Sequence, residues 1–307
     1  MKDGGAGVDN AREGRDEPDI EAYRPLLFAI AYRMLGSVMD AEDIVQEAFL
    51  SWNEREQSGI HHPKAYLCKI VTNRCVDRIR GAVREREAYV GPWLPVPLLT
   101  EDTRDNDPGA AYLRKESLST AYLLLLQQLS WSERAVFVLR EALGYEYDEI
   151  AEIVGKSSVN CRQIYRRARK AVSGLETSAE VPIPKSEKLR QTVDEFVAAL
   201  TGGHPGKLIG LLKADANLYS DGGGKATAAT RPILGAERVA SFLFGVLAKF
   251  PSDFSYRVAD VNGQPGIVTY FGDVPSSVVT LRIEAGVVAA VYIVVNPDKL
   301  GHLPARH

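Results

Sequence analysis

The sequence has little of what would cross-link it or hold a metal. Three cysteines in 307 residues are too few for a disulfide framework. Cys68 and Cys75 fall on one predicted helix, roughly 10 Å apart by helical rise, which suits neither a disulfide nor a shared metal. Cys161 stands alone, and the expectation for all three is buried, reduced thiols. The five histidines never fall at ligand spacing to cysteines or carboxylates, so neither metal nor cofactor is expected. The longest apolar run, Val287–Val295, has nine residues, against about 20 for a membrane span, so no membrane association is expected. Residues 1–19 carry six acids and three bases with no apolar stretch. That composition excludes a secretory signal and fits a disordered tail. An excess of one charge is also missing. Lys plus Arg number 37 against 40 acids, a net charge of −3, which excludes a general polyanion coat.

What is present is ordinary globular composition, with 45% apolar and 25% charged residues, long enough for two domains or three small ones. The near-neutral total conceals local bias. Residues 156–173 hold six bases and no acid. Residues 20–88 have helical periodicity: Leu26, Leu27, Ile30, Ala31, Met34 and Leu35 share one face, and Gly36-Ser37 ends the run. Asp40 is the expected N-cap of a helix from Ala41 to about Trp52, and a third helix starts near Pro63. Residues 89–110 hold Gly91, Pro92, Pro95, Pro97 and Pro108 with Glu101, Asp102, Asp105 and Asp107, a flexible acidic linker. Helices resume over 111–176 as Tyr112–Leu126, Ser130–Leu143, Tyr147–Val154 and Ser158–Val172. Val181-Pro182-Ile183-Pro184 marks a second linker, 177–186. Residues 187–307 differ in kind: two helices, a strand, a longer helix from Gly235 to Phe250, then four valine-rich strands separated by turns such as Asn262-Gly263. Helices followed by antiparallel strands make an α+β domain.

Two segments suit nucleic acid. From Tyr147 to Lys170 an eight-residue helix, a tight turn at Gly155 and a second helix have helix–turn–helix spacing. Ile150 and Val154 are placed to pack against Val159 and Ile164. Ser157, Ser158, Asn160, Arg162 and Gln163 offer hydrogen-bonding groups for base edges, and Arg166, Arg167 and Lys170 suit phosphates. The third helix adds Lys69, Arg74, Arg78 and Arg80, with Asn73 and Tyr66 able to bond or stack unpaired bases. Two basic helical surfaces suggest a two-point grip on DNA.

These residues carry a resemblance. Ile30-Ala31-Tyr32-Arg33-Met34-Leu35-Gly36-Ser37 and Asp40-Ala41-Glu42-Asp43-Ile44-Val45-Gln46-Glu47-Ala48-Phe49 resemble region 2 of extracytoplasmic-function sigma factors, and the helix–turn–helix resembles their region 4. The resemblance implies two all-α sigma domains, a region 2 helical bundle and a region 4 helix–turn–helix. It implies docking on bacterial core RNA polymerase through Asp40, Asp43, Gln46 and Glu47, an acidic ridge beside Phe49 and Trp52 as aromatic anchors. It also implies that the third helix opens the −10 promoter element, that Ser158–Lys170 reads the −35 element as duplex, and that the protein is cytoplasmic and not itself an enzyme.

Residues 187–307 look like the SnoaL/NTF2-like cone. Tyr219-Ser220-Asp221-Gly222-Gly223-Gly224-Lys225, Asn296-Pro297-Asp298-Lys299-Leu300 and Trp93-Leu94-Pro95-Val96-Pro97 resemble the sigma factors carrying such an extension in place of a separate anti-sigma partner. An acidic residue commonly stands between the linker prolines in that subfamily; here it is the uncharged Val96. The glycines Gly222, Gly223 and Gly224 permit close backbone approach between Asp221 and Lys225. Trp93, held by prolines such as Pro95, is an anchor for that surface, with Asn296, Pro297, Asp298 and Lys299 alongside. The expectation is an extension that touches region 2 and the linker and sets how far the DNA-binding domains open. Two other classes compete with this reading. A cone enzyme needs a poised base, for which Asp215, Asp221 and Asp260 are the candidates. A helix–turn–helix regulator with a ligand-sensing cone does not explain the Asp40–Trp52 helix.

Overall fold

The first helix, α1 (Arg24–Leu35), follows a 3₁₀ turn at Ile20–Tyr23 and is buried from Leu26 to Leu35. The computed structural model describes residues 19–54, 60, 62–82, 86–100, 118–175 and 186–306. The tail 1–18, His61, the linker acids Glu101, Asp102, Asp105 and Asp107, the expected helix start at Tyr112 and the hinge 181–184 lie outside the described residues.

Helix α2 spans Val38–Asn53 and α3 Pro63–Gly81. Ser37, not Asp40, caps α2. Its backbone is extended, as a cap requires, and its Oγ accepts the Asp40 N–H at 3.3 Å. Asp40 already lies in the helical first turn, where a carboxylate offsets the positive end of the helix. Four more helices follow: α4 (Thr120–Gln128), α5 (Trp131–Phe137, continued by a π-helical turn at Val138–Ala142), α6 (Tyr147–Val154) and α7 (Ser158–Leu175). A capping box at Ser130 and Glu133 starts α5, and Gly155 in the left-handed region ends α6.

The two helical groups do not form separate cores. Buried residues of α1–α3, of α4–α7 and Val96 form one continuous cluster. Arg134 on α5 donates to Met34 O of α1 at 2.6 Å, and Cys68 of α3 meets the Tyr145 hydroxyl at 3.2 Å. The three cysteines are free and buried.

The C-terminal part begins with α8 (Ser186–Thr201) and α9 (Pro205–Leu211), then β1 (Leu212–Asp221), β2 (Ile233–Leu234) and α10 (Ala236–Leu247). Strands β3 (Phe254–Val261), β4 (Gln264–Phe271), β5 (Val274–Glu284) and β6 (Val287–Val294) complete it. The sheet order is β2-β1-β6-β5-β4-β3, antiparallel except that β1 runs parallel to β6. The element order is the expected one with the two-residue strand β2 added before α10, which ends at Leu247 rather than Phe250.

Side chains alternate between the two faces of this sheet. Ile267, Val279, Val291 and Ile293 face the helices α8–α10. Val268, Val278, Ala290, Tyr292 and Val294 face the other way, where Leu94 and Leu99 of the linker and Ala121 and Leu124 of α4 cover them. The sheet is therefore buried on both sides, as the near-continuous apolar run of β6 requires.

The described part of the linker is accordingly not a flexible spacer. Pro92–Thr100 is an extended strap whose Leu94, Pro95, Val96 and Pro97 are buried. Prolines exclude a helix there but permit an extended segment that satisfies its remaining N–H groups elsewhere. Val96 N–H bonds to Gly36 O at 2.8 Å, and Thr100 N–H to Asp260 O at 2.8 Å. Leu99 bridges Val261, so the strap also caps the edge strand β3.

Candidate functional site

Helix α7 presents two faces. Ser158, Cys161, Tyr165, Ala168 and Val172 recur at three- and four-residue spacing on the inward side, and Cys161, Ala168 and Val172 are buried. Ser158 thus turns its hydroxyl inward, where it is buried, and leaves the set of expected base-reading groups. Ser157 Oγ accepts the Asn160 N–H at 3.2 Å, a capping role. The outward side carries Asn160, Arg162, Gln163, Arg166, Arg167 and Lys170, all exposed. Among the described residues Arg166, Arg167 and Lys170 have no carboxylate partner, which leaves their charge available to phosphates. Ile150 and Ile164 are buried as expected, but Val159 is 61% exposed. It falls between the inward positions of the helix, so it does not pack against Val154.

The surface of α3 is less free. Packing of α2 on α3 aligns its acids with the basic row: Arg78 bonds to Asp40 at 2.6 Å, and Arg74 pairs with Glu47 and donates to Ser51 at 2.8 Å. Arg80 stacks over Trp131 of α5, 4.3 Å from the ring centre. Tyr66 is half-buried with its ring edge-on to Trp52 at 5.9 Å. Lys69 and Asn73 are exposed. The expected aromatic anchors Phe49 and Trp52 are core residues, 6% and 3% exposed. They share the inward stripe of α2 with Val45 and Ala48. The exposed face instead carries Asp43, Gln46 and Glu47 with Leu50 and Met39 as its apolar members.

The third group of expected residues converges at one place. Asp221, at the end of β1, is fully buried. Its Oδ1 accepts from the Tyr89 hydroxyl at 2.6 Å, and its Oδ2 from Leu94 N–H at 2.7 Å and Lys299 Nζ at 2.8 Å. Lys299 also donates to Leu94 O at 2.5 Å and lies 3.9 Å from the centre of the Trp93 ring. Arg86 stacks on the same indole at 4.6 Å, so Trp93 is held by two cations. Desolvation pulls the Lys299 ammonium down to about 8, against the opposing pull of Asp221. Burial and then the Asp221 carboxylate push the Tyr89 phenol up, which keeps it a donor. At the rim, Lys225 pairs with Asp298 at 2.5 Å and Asn296 Nδ2 donates to Tyr89 at 2.9 Å.

Gly223 closes this clasp. Its φ is +58°, and a Cβ there would stand 2.2 Å from Asn296 Nδ2 and 2.9 Å from the Tyr89 oxygen. Gly223→Ala is expected to cost about 2–5 kcal/mol, combining left-handed strain of about 1–2 with overpacking of about 1–3. Gly155 has φ +66° with open space around it, so Gly155→Ala should show only the strain part. Denaturant midpoints of the two variants measure the difference.

A second hub lay hidden in the sequence. Asn262, expected only as a hairpin turn, is 1% exposed. Its Oδ1 accepts from the Tyr32 hydroxyl at 2.8 Å and Leu98 N–H at 2.9 Å, and its Nδ2 reaches Thr120 at 3.4 Å. One side chain thus touches α1, the strap and α4. The turn explained Asn262-Gly263 locally, so no sequence signal marked it. The candidate bases do not assemble: Asp221 is engaged with Lys299, while Asp215 and Asp260 are 76% and 44% exposed. No metal-holding cluster occurs, and no helix is long and apolar enough to cross a membrane, among the described residues.

Comparison with known proteins agrees with this arrangement. Residues 20–85 match the Sigma-70 region 2 family model and 119–172 the Sigma-70, region 4 model. The chain is 33% identical over 298 residues to the ECF RNA polymerase sigma factor SigJ of Mycobacterium tuberculosis, covering 94% of each. It is 28% identical to the probable ECF RNA polymerase sigma factor SigI of the same species, covering 93% of this chain and 94% of that one. The crystal structure of the M. tuberculosis SigJ protein superimposes with a TM-score of 0.75 at 29% identity, over 93% of this chain and 98% of the other. Helical regions 2 and 4 followed by an α+β extension are thus matched along almost the whole chain, and the chain belongs to the ECF RNA polymerase sigma factors.

Proposed function

We propose that the chain binds bacterial core RNA polymerase through the exposed face of α2, built from Asp43, Gln46, Glu47, Met39 and Leu50. Region 2 then opens the −10 element with α3, using Lys69 and Asn73 first and Arg74 and Arg78 once they exchange their α2 partners for phosphate. Region 4 reads the −35 element with Asn160, Arg162 and Gln163, while Arg166, Arg167 and Lys170 hold the backbone. The domains act as 20–88, 111–176 and 187–307, the last as a cis regulator without catalysis and without a separate anti-sigma factor. The working compartment is the cytoplasm.

The observation that carries the regulatory part is the core shared by regions 2 and 4. The two promoter elements lie ~25 base pairs apart, about 85 Å at ~3.4 Å per pair. Two domains in direct contact through Arg134 and Met34 cannot occupy both. Promoter engagement therefore requires the regions to part, and the clasp at Asp221 and Asn262 opposes it. Co-purification with core polymerase tests the first part, because a free-standing helix–turn–helix regulator would not be retained. Distance measurement between dyes on α3 and α7, with and without core polymerase, tests the second; an unchanged distance would sink it.

Substitutions in α7 should separate the two kinds of contact. In reconstituted holoenzyme, Arg162→Ala or Gln163→Ala is expected to cost about 1–3 kcal/mol and relax base preference at one position. Arg166→Ala or Lys170→Ala should weaken all sequences alike and lower the salt slope by about one. Binding isotherms on matched and altered −35 elements at several salt concentrations distinguish them.

A further inference from the structure

The sheet face turned toward α8 and α10 is not filled. A cavity of about 290 Å³ lies between them, at the lower end of the range for small-molecule sites, roughly 300–1,000 Å³. Its floor is aliphatic, from Leu243, Ile267, Val279 and Ile293, each buried. One wall carries hydroxyls: Thr269 bonds to Ser276 at 2.8 Å and to Ser277 at 2.6 Å. Its mouth is aromatic. Phe250 lies 4.7 Å from Phe254 and 5.3 Å from Phe271, and Tyr256 adjoins Phe254 at 6.4 Å. Tyr256 and Phe271 are 38% and 37% exposed, large rings left in contact with water. None of the lining residues is Asp, Glu, His, Lys or Arg.

The lining selects its occupant by exclusion. A charged ligand would lose its hydration with no counter-charge to replace it. A peptide is too large for the volume. What fits is a neutral, compact, largely apolar molecule with at most a hydroxyl or carbonyl, which the Thr269–Ser276–Ser277 group can bond. The same absence of carboxylate, imidazole and amine leaves only the half-exposed Tyr256 phenol at the mouth as a titratable group, with no partner acid or base lining the cavity for chemistry on that molecule. The cavity also adjoins the clasp. Ala226 and Thr227 in its wall directly follow Lys225, and Val295 directly precedes Asn296. The Val295 N–H bonds to Asp221 O at 2.8 Å.

We propose that this cavity is a binding site for a neutral, apolar small molecule and that its occupancy is coupled to the clasp. The coupling rests on the cis-regulatory reading above; the binding does not. The probe is N-phenyl-1-naphthylamine, an uncharged fluorophore that brightens in apolar surroundings, titrated into the full chain. Saturable binding of one probe per chain is expected, weakened at least tenfold by Val246→Trp, which fills the cavity from α10. Thr227→Trp, at an exposed position of the mouth, gives the same reading should the first variant fold poorly by circular dichroism. Absence of saturable binding, or binding unchanged by a folded filling variant, overturns the site. Tyr89→Phe lies outside the cavity and removes a clasp bond. Because coupling is reciprocal, it should change probe affinity at least threefold, and equal affinities would overturn the coupling alone.

Discussion

Lys299→Met is expected to destabilise the folded chain by about 3–5 kcal/mol, because it strands a fully buried carboxylate without its cation. Lys299 is the partner of Asp221, the donor to Leu94 O and the cation on Trp93 at once. The loss should appear as a lower urea midpoint and as faster exchange of the Leu94 amide, whose acceptor is the same Asp221 oxygen. Lys299→Met combined with Asp221→Asn removes both charges and should recover part of the stability, as isosteric neutral replacements of buried pairs do. A double variant as unstable as the sum of the two single variants would show that the pair contributes nothing as a pair.

Asn262→Gly should cost about 2–4 kcal/mol, because the partly buried Leu98 N–H loses its acceptor at about 1–3 kcal/mol and the bonds to Tyr32 and Thr120 go with it. Glycine is the informative replacement. Asn262 holds a φ of +53°, which glycine adopts without strain, so the replacement adds no backbone strain and its cost is the lost side-chain bonds together with glycine's larger unfolded-state entropy. Its distinguishing feature is reach. Amide exchange should quicken in the strap at Leu98 and at the start of α4 together, since one side chain ties both. A loss confined to the β3–β4 hairpin would mean that Asn262 serves only its own turn.

These two residues show where sequence reasoning reached and where it stopped. Asp221, Lys299 and Trp93 were legible because each sits in a short string that carries the family resemblance, three glycines after Asp221, Asn-Pro-Asp before Lys299 and paired prolines after Trp93. The structure hydrogen-bonds Lys299 to Asp221 and sets the Trp93 ring against the same ammonium, 3.9 Å away. Asn262 and Tyr32 were not, because each is fully accounted for by its local role, a hairpin turn and a helix core position. Phe49 and Trp52 failed for the opposite reason. Apolar residues on an amphipathic helix face either its core or a partner, and periodicity alone does not say which side the rest of the fold covers. Arg74 and Arg78 looked like free charge because their acids, Glu47 and Asp40, lie on another helix.

Local pattern by itself determined the helices, the strand run, the helix–turn–helix and the family, since each depends on residues a few positions apart. Tertiary structure alone decided that regions 2 and 4 share a core, that Pro92–Thr100 of the linker form a strap buried at its centre, and that the second face of the sheet is a docking surface. The reason is physical. Secondary structure follows from backbone bonds and side-chain period along the chain, whereas a closed arrangement of domains depends on which apolar faces meet. Here that choice is fixed by a few buried polar groups, Asp221, Lys299 and Asn262, whose partners lie far away in sequence.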